Sequence, residues 1–433
     1  MVVVKLIKAV LIISVFFAAF FPVYINISAF ARESVGIPKP QKSSIDLDRI
    51  ADEYPDRREI LETIRAIEEE LQEDPDDYSL YEALAFLYDY IGVYQKSLEA
   101  VKKRIEYYPG DEKDFGILYG NLARQCLNLN KLDEAKPAID KSLEYDPDNI
   151  INHKHALQYY ILKGQYREAG LELKTMTEIA EKQSLDIDFY YDIYIYFLNN
   201  PDYRVDMIKV FEEAVKVNPA CHLSHRALGV AIRNESIRKI DEVYPRVMKE
   251  LQKAFKLNPE YVPTLITIAN AHGFYGLNTE QQEWFDLALE WFHKAEEIEP
   301  DNIKLQCAMS NMFVYMKEYD KAINKLEHMR AKGNTDSRIS NVLAAAYNGK
   351  AYSFYEKGEN LEEALDIINK AIILTPKDGI ILSTKAEVLY KMERFEEAYK
   401  YIKEGIKLEP DNPELKQDLM NIEKALKEAH TKK

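Results

Sequence analysis

The spacing of its prolines constrains this chain more than any other feature. Prolines at 75, 109, 147, 219, 259, 300, 376 and 410 stand 34, 38, 72, 40, 41, 76 and 34 residues apart. Proline cannot continue a helix and disfavours helical geometry in the residue before it, so such a series cuts a helical chain into units. Within a unit, large apolar residues recur at helical spacing in two runs separated by a short turn. In Tyr78 to Pro109, the residues Tyr81, Leu84, Ala85, Tyr88, Gly92, Tyr94, Ser97, Val101 and Pro109 fall at places 4, 7, 8, 11, 15, 17, 20, 24 and 32 of a unit of about 34 residues. Small residues at places 8 and 20 let the two helix backbones approach closely. Two short helices bury their apolar faces only against neighbouring copies, so repetition is what lets such a chain fold.

Two of the gaps are double length, and each hides a unit. His153, Ala156, Tyr160, Gly164, Tyr166, Ala169, Leu173 and Met176 keep the pattern with Glu181 at the proline place, and Met309, Phe313, Tyr319, Ala322, Leu326 and Met329 keep it with Asn334 there. A poorer unit runs through Tyr191, Tyr194, Leu198, Phe211, Ala214 and Pro219, with Pro201 in its turn. The count is nine helix pairs from about Asp76 to Pro410. Pro-Asp-Asp at 75 and Pro-Asp-Asn at 147, 300 and 410 supply side-chain oxygens to cap the helix that follows. Residues 55–75, with Ile60, Ile64, Ile67 and Leu71 on one face, and residues 411–433, with Leu415, Leu419, Ile422 and Leu426, read as helical caps for the two ends. Extra residues at Arg233 to Pro245 and His272 to Gln282 predict either a longer loop or an extra helical turn, and insertions on one edge of an array often mark a binding surface.

Places 4, 7, 8, 11, 15, 17, 20, 24 and 32 resemble the tetratricopeptide repeat, with Tyr for Trp at place 4 and Ser for Ala at place 20 in the best unit. The resemblance implies an all-α, right-handed α-α superhelix, a solenoid of about nine pairs spanning residues 76–410 with a helical cap at each end. It further implies a concave wall made by the first helix of each pair, where places 2, 5, 6, 9, 12 and 13 face a partner protein or peptide. On this chain those places give Asn121, Arg124, Asn128, Lys154, Gln158, Arg226, Arg233, Asn270, Asn311 and Tyr315 as candidate groove residues. Basic and amide groups there favour an acidic or carboxylate-bearing segment. The set by which some such proteins clamp a chaperone's terminal carboxylate is missing: Asn121 matches one place, but Glu82 and Phe86 precede it and Ile151 and His155 follow.

The formal charge is -16, and without residues 1 to 31, whose only charges are Lys5 and Lys8, it becomes -18. So acidic a body repels phosphate backbones, which argues against nucleic acid as a partner. Cys126, Cys221 and Cys307 are too few and scattered for a disulfide framework, and Cys126 at place 11 reads as a buried thiol. No Gly-x-Ser-x-Gly, phosphate loop or Gly-x-Gly-x-x-Gly occurs, and the repeats use nearly all residues after 55, so no enzyme and no cofactor is expected. His222 and His225 beside Cys221 are the one local group of metal-ligand types, and they and His153 with His155 read as core or edge histidines, since zinc wants three or four ligands. Trp284 and Trp291, seven apart, read as a packing stripe. Glu68 to Glu70, Glu362-Glu363 and Glu396-Glu397 read as solvated faces.

Ahead of the repeats, Lys5 and Lys8 precede 23 uncharged residues, Ala9 to Ala31, ending in Ser28-Ala29-Phe30-Ala31. This pattern reads either as a signal peptide cleaved after Ala31 or as a retained signal anchor, since 23 residues span a bilayer core of about 30 Å. Both place the repeats on the far side of the membrane, exported or tethered by one N-terminal helix, with residues 32–54 as a flexible tether. The expected function is a non-enzymatic scaffold that holds a partner protein and assists assembly of an envelope complex; the alternative is a ligand or glycan carrier in an envelope polymer-export machine.

Overall fold

The computed structural model describes residues 58–185, 188–203, 205–234 and 240–431. The expected leader and tether lie outside them. Among the described residues all regular structure is helical, with twenty α-helices and two short 3-10 turns, in two compact units that meet in sequence at Pro219 and Ala220. The first unit holds α1 (Arg58–Glu73), α2 (Tyr78–Tyr90), α3 (Tyr94–Tyr107), α4 (Phe115–Asn128), α5 (Leu132–Tyr145), α6 (Ile150–Leu162), α7 (Tyr166–Lys182), α8 (Phe189–Leu198) and α9 (Met207–Val217). The second holds α10 (His222–Arg233), α11 (Ile240–Leu257), α12 (Val262–Thr279), α13 (Gln282–Ile298), α14 (Ile303–Tyr315), α15 (Tyr319–Ala331), α16 (Ser337–Lys357), α17 (Leu361–Leu374), α18 (Gly379–Lys391), α19 (Phe395–Leu408) and α20 (Pro413–Thr431). Among the described residues the helices follow the expected all-α order of nine successive twos, α2 and α3 to α18 and α19, with one further helix before and one after.

The boundary chemistry works as the sequence suggests. Asp77 accepts from the Ser79 amide at 2.9 Å, Asn149 from Ile151 at 3.0 Å, Asn302 from Leu305 at 3.0 Å and Asn412 from Glu414 at 3.0 Å. In every one of these motifs it is the third residue that caps, and a cap of this type is worth about 1 kcal/mol. A second device ties the boundary down. At place 4, Tyr81 donates to the carbonyl of Pro75 (2.9 Å), the His153 ring to that of Pro147 (2.8 Å) and Gln306 to that of Pro300 (2.6 Å). In these three units place 4 carries a long side chain with a donor at its tip, which Tyr, His and Gln all supply. His153 also lies 2.7 Å from Glu172 Oε2, so both ring nitrogens face acceptors. Burial pushes its pKa down, but these two acceptors outweigh it and the net shift is upward.

Close packing explains the small residues. Ala135, Ala169, Ala322, Ala364 and Ala398, all at place 20, are fully buried, and Ser97 at the same place donates to the Ala85 carbonyl at 2.7 Å. Leu61, Ile64 and Ile67 of α1 cover the start of the array, and Leu415 and Ile422 of α20 cover its end.

Two departures have physical causes. With Glu181 in place of proline nothing stops α7, which runs to Lys182. α9 then lies directly along α7, where Gly170 faces the backbone of Ala214, and α8 meets α9 through Tyr190 and Tyr194, whose rings are each 6.3 Å from Phe211. The poorer unit is therefore splayed rather than a tight hairpin. The extra residues of the second unit, where described, lengthen α11, α12 and α13 to 18, 18 and 17 residues rather than forming loops.

Candidate functional site

Within each unit first helices meet side by side, α4 with α6 in the first and α10, α12, α14, α16 and α18 in series in the second. In the first unit, Arg124 on α4 donates to Asp89 Oδ2 of α2 at 2.7 Å, and Gln125 donates to the other oxygen of the same carboxylate at 3.1 Å. Asp89 thus neutralises Arg124. Lys154, one helix further on, has no carboxylate within ion-pair distance among the described residues, and burial pushes its pKa down against a weaker opposing pull from Asp192. Beside it His155 is 6 % exposed with Nδ1 unpaired, and burial, helped by Arg124 and Lys154, holds its pKa near 3. Gln158 is buried, whereas Asn121 and Asn128 are half-buried. Phe86, Tyr90, Ile117 and Ile151 stand exposed at the groove places of α2, α4 and α6. Arg124 and Lys154 therefore share one wall with bare apolar side chains, and it is Lys154 that is left uncompensated.

The candidates of the second unit are more dispersed. Arg226 is 7 % exposed and donates to Thr267 Oγ1 at 3.3 Å, with its guanidinium 6.0 Å from the Tyr261 ring. It braces α10 against α12 and is not presented outward. Arg233 contacts Asn234 at 3.4 Å, Asn270 and Asn311 are half-buried, and Tyr315 is exposed. Beyond them α16, α18 and α20 enclose a cavity of about 420 Å³ lined by Asn348, Tyr352, Ile380, Glu387, Glu414 and Asp418, among others.

Against this geometry the tetratricopeptide repeat model matches residues 117–149 and 381–412, one stretch in each unit. Those two stretches carry the tetratricopeptide repeat. Among curated proteins it is 23 % identical over 177 residues to the human protein O-mannosyl-transferase TMTC1, covering 34 % of this chain and 19 % of that one. It is 20 % identical over 355 residues to a DnaJ homolog subfamily C member 7 homolog of Dictyostelium discoideum, covering 78 % and 56 %. The chain thus spans about half or less of the length of these relatives. Among solved structures, a tetratricopeptide repeat protein from Parabacteroides merdae matches 72 % of this chain and 98 % of its own at 13 % identity and a TM-score of 0.36. The tetratricopeptide domain of P58(IPK) matches 82 % and 99 % at 15 % identity and a TM-score of 0.24.

Other groups of chemical interest are committed to packing within the second unit. His225 Nδ1 lies 2.7 Å from Glu250, and the His222 ring meets Tyr261 edge-on at 4.6 Å. The lengthened ends of α11 and α12 meet in an aromatic cluster: Tyr244 stacks on Tyr275 at 4.2 Å and bonds His272 Nδ1 at 2.7 Å, while Trp284 packs edge-on against both tyrosines. Burial lowers His272 to about 4 and raises Tyr244 to about 12. The extra residues near His272 thus pack, as does Trp291 against Phe255 at 5.0 Å.

The carboxylates around the cavity escaped the sequence reading, which stopped at Tyr315. Continuing the same places points to them, since Glu387 is place 9 counted from Gly379 and Glu414 and Asp418 are places 2 and 6 counted from Pro413.

Proposed function

We propose that this protein is a non-enzymatic scaffold that holds an acidic, partly apolar segment of a partner protein along the first-helix wall of α2, α4 and α6. Repeats of this kind serve protein–protein interaction, and the observation that carries the finer reading is Lys154. A half-buried ammonium without a carboxylate is costly, and a partner's Asp or Glu lowers that cost where the solvent no longer does. Phe86, Ile117 and Ile151 then take the apolar side chains that flank it. The transferase activity in the name of the human relative is not carried over, because the likeness covers 19 % of that protein.

The test uses the full chain and fluorescein-labelled peptides that alternate Leu with Asp or Glu, each beside a twin with Asn or Gln. The acidic peptides are expected to bind and their amide twins to bind about tenfold more weakly, with Lys154→Glu abolishing the difference. Equal binding of both sets to the native chain would refute the reading. We propose in addition that the array works outside the cytoplasm, assisting assembly of an envelope complex, on the strength of the basic and apolar residues 1–31.

A further inference from the structure

We propose that His153 makes the hairpin of α6 and α7 a pH-dependent joint, closed while the ring carries two protons and looser once it loses one. The inference is independent of what the array binds.

Geometry carries the argument. His153 stands at place 4 on α6, buried, with Nε2 2.8 Å from the Pro147 carbonyl and Nδ1 2.7 Å from Glu172 Oε2 of α7. A carbonyl oxygen only accepts, and so does an ionised carboxylate, so this place asks the ring for two donors. Imidazolium has two N–H groups and neutral imidazole has one. On deprotonation one nitrogen presents a lone pair to an oxygen, and either the tie to the turn before α6 or the tie to α7 is lost.

Gln306 meets the same demand without titrating. At place 4 of its own unit its amide nitrogen donates to the Pro300 carbonyl at 2.6 Å and to Glu296 Oε1 at 2.9 Å, again a proline carbonyl and a carboxylate. Tyr81 serves the Pro75 carbonyl at 2.9 Å, and burial pushes its phenol up from an already high value. Of these three boundaries, only that of His153 responds near neutrality.

The groups around the ring favour its charged form. Burial opposes it, but Glu172, the Pro147 carbonyl and Asp148 together outweigh burial and raise the pKa. Lys182 of α7 lies 3.1 Å from Asp148, a second link between that turn and α7. α4 bears one charged side chain, Arg124, which Asp89 engages. On α5 every charged side chain but Lys136 is exposed, and Lys136 pairs with Asp140 at 2.6 Å. His155, two residues on, is buried with Nδ1 unpaired and shifts the opposite way, so burial alone does not make such a joint. Because the folded-state pKa of His153 is raised, its stabilisation is complete below the ordinary value of 6.5 and is lost as pH rises through the folded value.

The experiment uses the full chain with 15N-labelled histidine rings, His153→Gln identifying the His153 signals. Its titration midpoint is expected above 6.5, with both ring nitrogens protonated below it. Hydrogen exchange, corrected for intrinsic rates, then reads the opening of α6 and α7 from pH 6 upwards. Opening should increase about tenfold for each pH unit by which the midpoint exceeds the ordinary value. In His153→Gln it should stay level with pH, as it should in α14 around Gln306. Glu172→Gln, which keeps the histidine, should bring the midpoint back down, so the joint is tested even if the first variant folds poorly. A midpoint at or below 6.5 in the native chain would overturn the proposal. So would opening of α6 and α7 that climbs with pH equally in His153→Gln, or equally in α14.

Discussion

Gly164 sits between α6 and α7 with φ of +70°, and nothing lies within 4 Å of where its Cβ would be. At the same place 15 of other units stand Gly92, Asn130, Lys317 and Glu393, with φ of 81°, 55°, 60° and 59°. The left-handed turn is therefore a property of the repeat, and the residue adapts to it. An L side chain there costs roughly 1–2 kcal/mol, and at Gly164 no packing change obscures that cost. Gly164→Ala should lose about 1 kcal/mol, seen as a lower Tm and reduced amide protection in α6 and α7. An unchanged Tm would mean the turn relaxes to another geometry. The presence of lysine and glutamate at this place explains why a glycine pattern alone does not reveal all nine turns.

At the scale of elements, the contact of α7 with α9 departs most from a regular array. A Cβ on Gly170 would come within 3.1–3.2 Å of the Ala214 backbone, atoms that cannot swing aside as a side chain does. Alanine favours a helix over glycine by about 1 kcal/mol, so propensity alone says Gly170→Ala stabilises. Overpacking against backbone costs typically about 1–3 kcal/mol, and the expected net effect is a loss of about 1 kcal/mol in thermal or denaturant melts. A gain would mean that α9 slides along α7 at no cost. This element also marks the limit of what the sequence made legible. Proline spacing fixed where helices end, and the Asp or Asn two residues after it fixed their caps, because both effects are local. Which neighbour α9 packs on depends on Glu181 failing to stop α7 and on one glycine facing a backbone far along the chain, and neither periodicity nor spacing carries that. The splayed α8 kept the right residue types while losing the hairpin.

Over the whole molecule, the candidate walls became legible only in part for the same reason. Place numbers singled out Arg124 and Lys154 alike, yet Asp89 of the preceding pair neutralises one and leaves the other bare. Arg226 was singled out by the same numbers and turned out to be a buried brace. The proposed export would likewise be a property of the entire chain, and the cysteines have to be compatible with it. A protein that works in an oxidising compartment keeps unpaired thiols out of reach, since exposed thiolates exchange and oxidise. Cys126, Cys221 and Cys307 are all buried, and burial raises the Cys126 thiol to about 11 and Cys307 in the same direction. Buried thiols are compatible with the proposed export but do not decide it, so the leader itself has to be tested. The full chain fused after Lys433 to a reporter enzyme that needs its own disulfides to fold should be active in intact cells. The same fusion with Ala9 to Ala31 deleted should be inactive. N-terminal sequencing of the active protein then separates the two ways of getting there, Arg32 first for a cleaved leader and Met1 for a retained anchor. Equal activity with and without residues 9–31 would refute export by this segment and return the array to the cytoplasm.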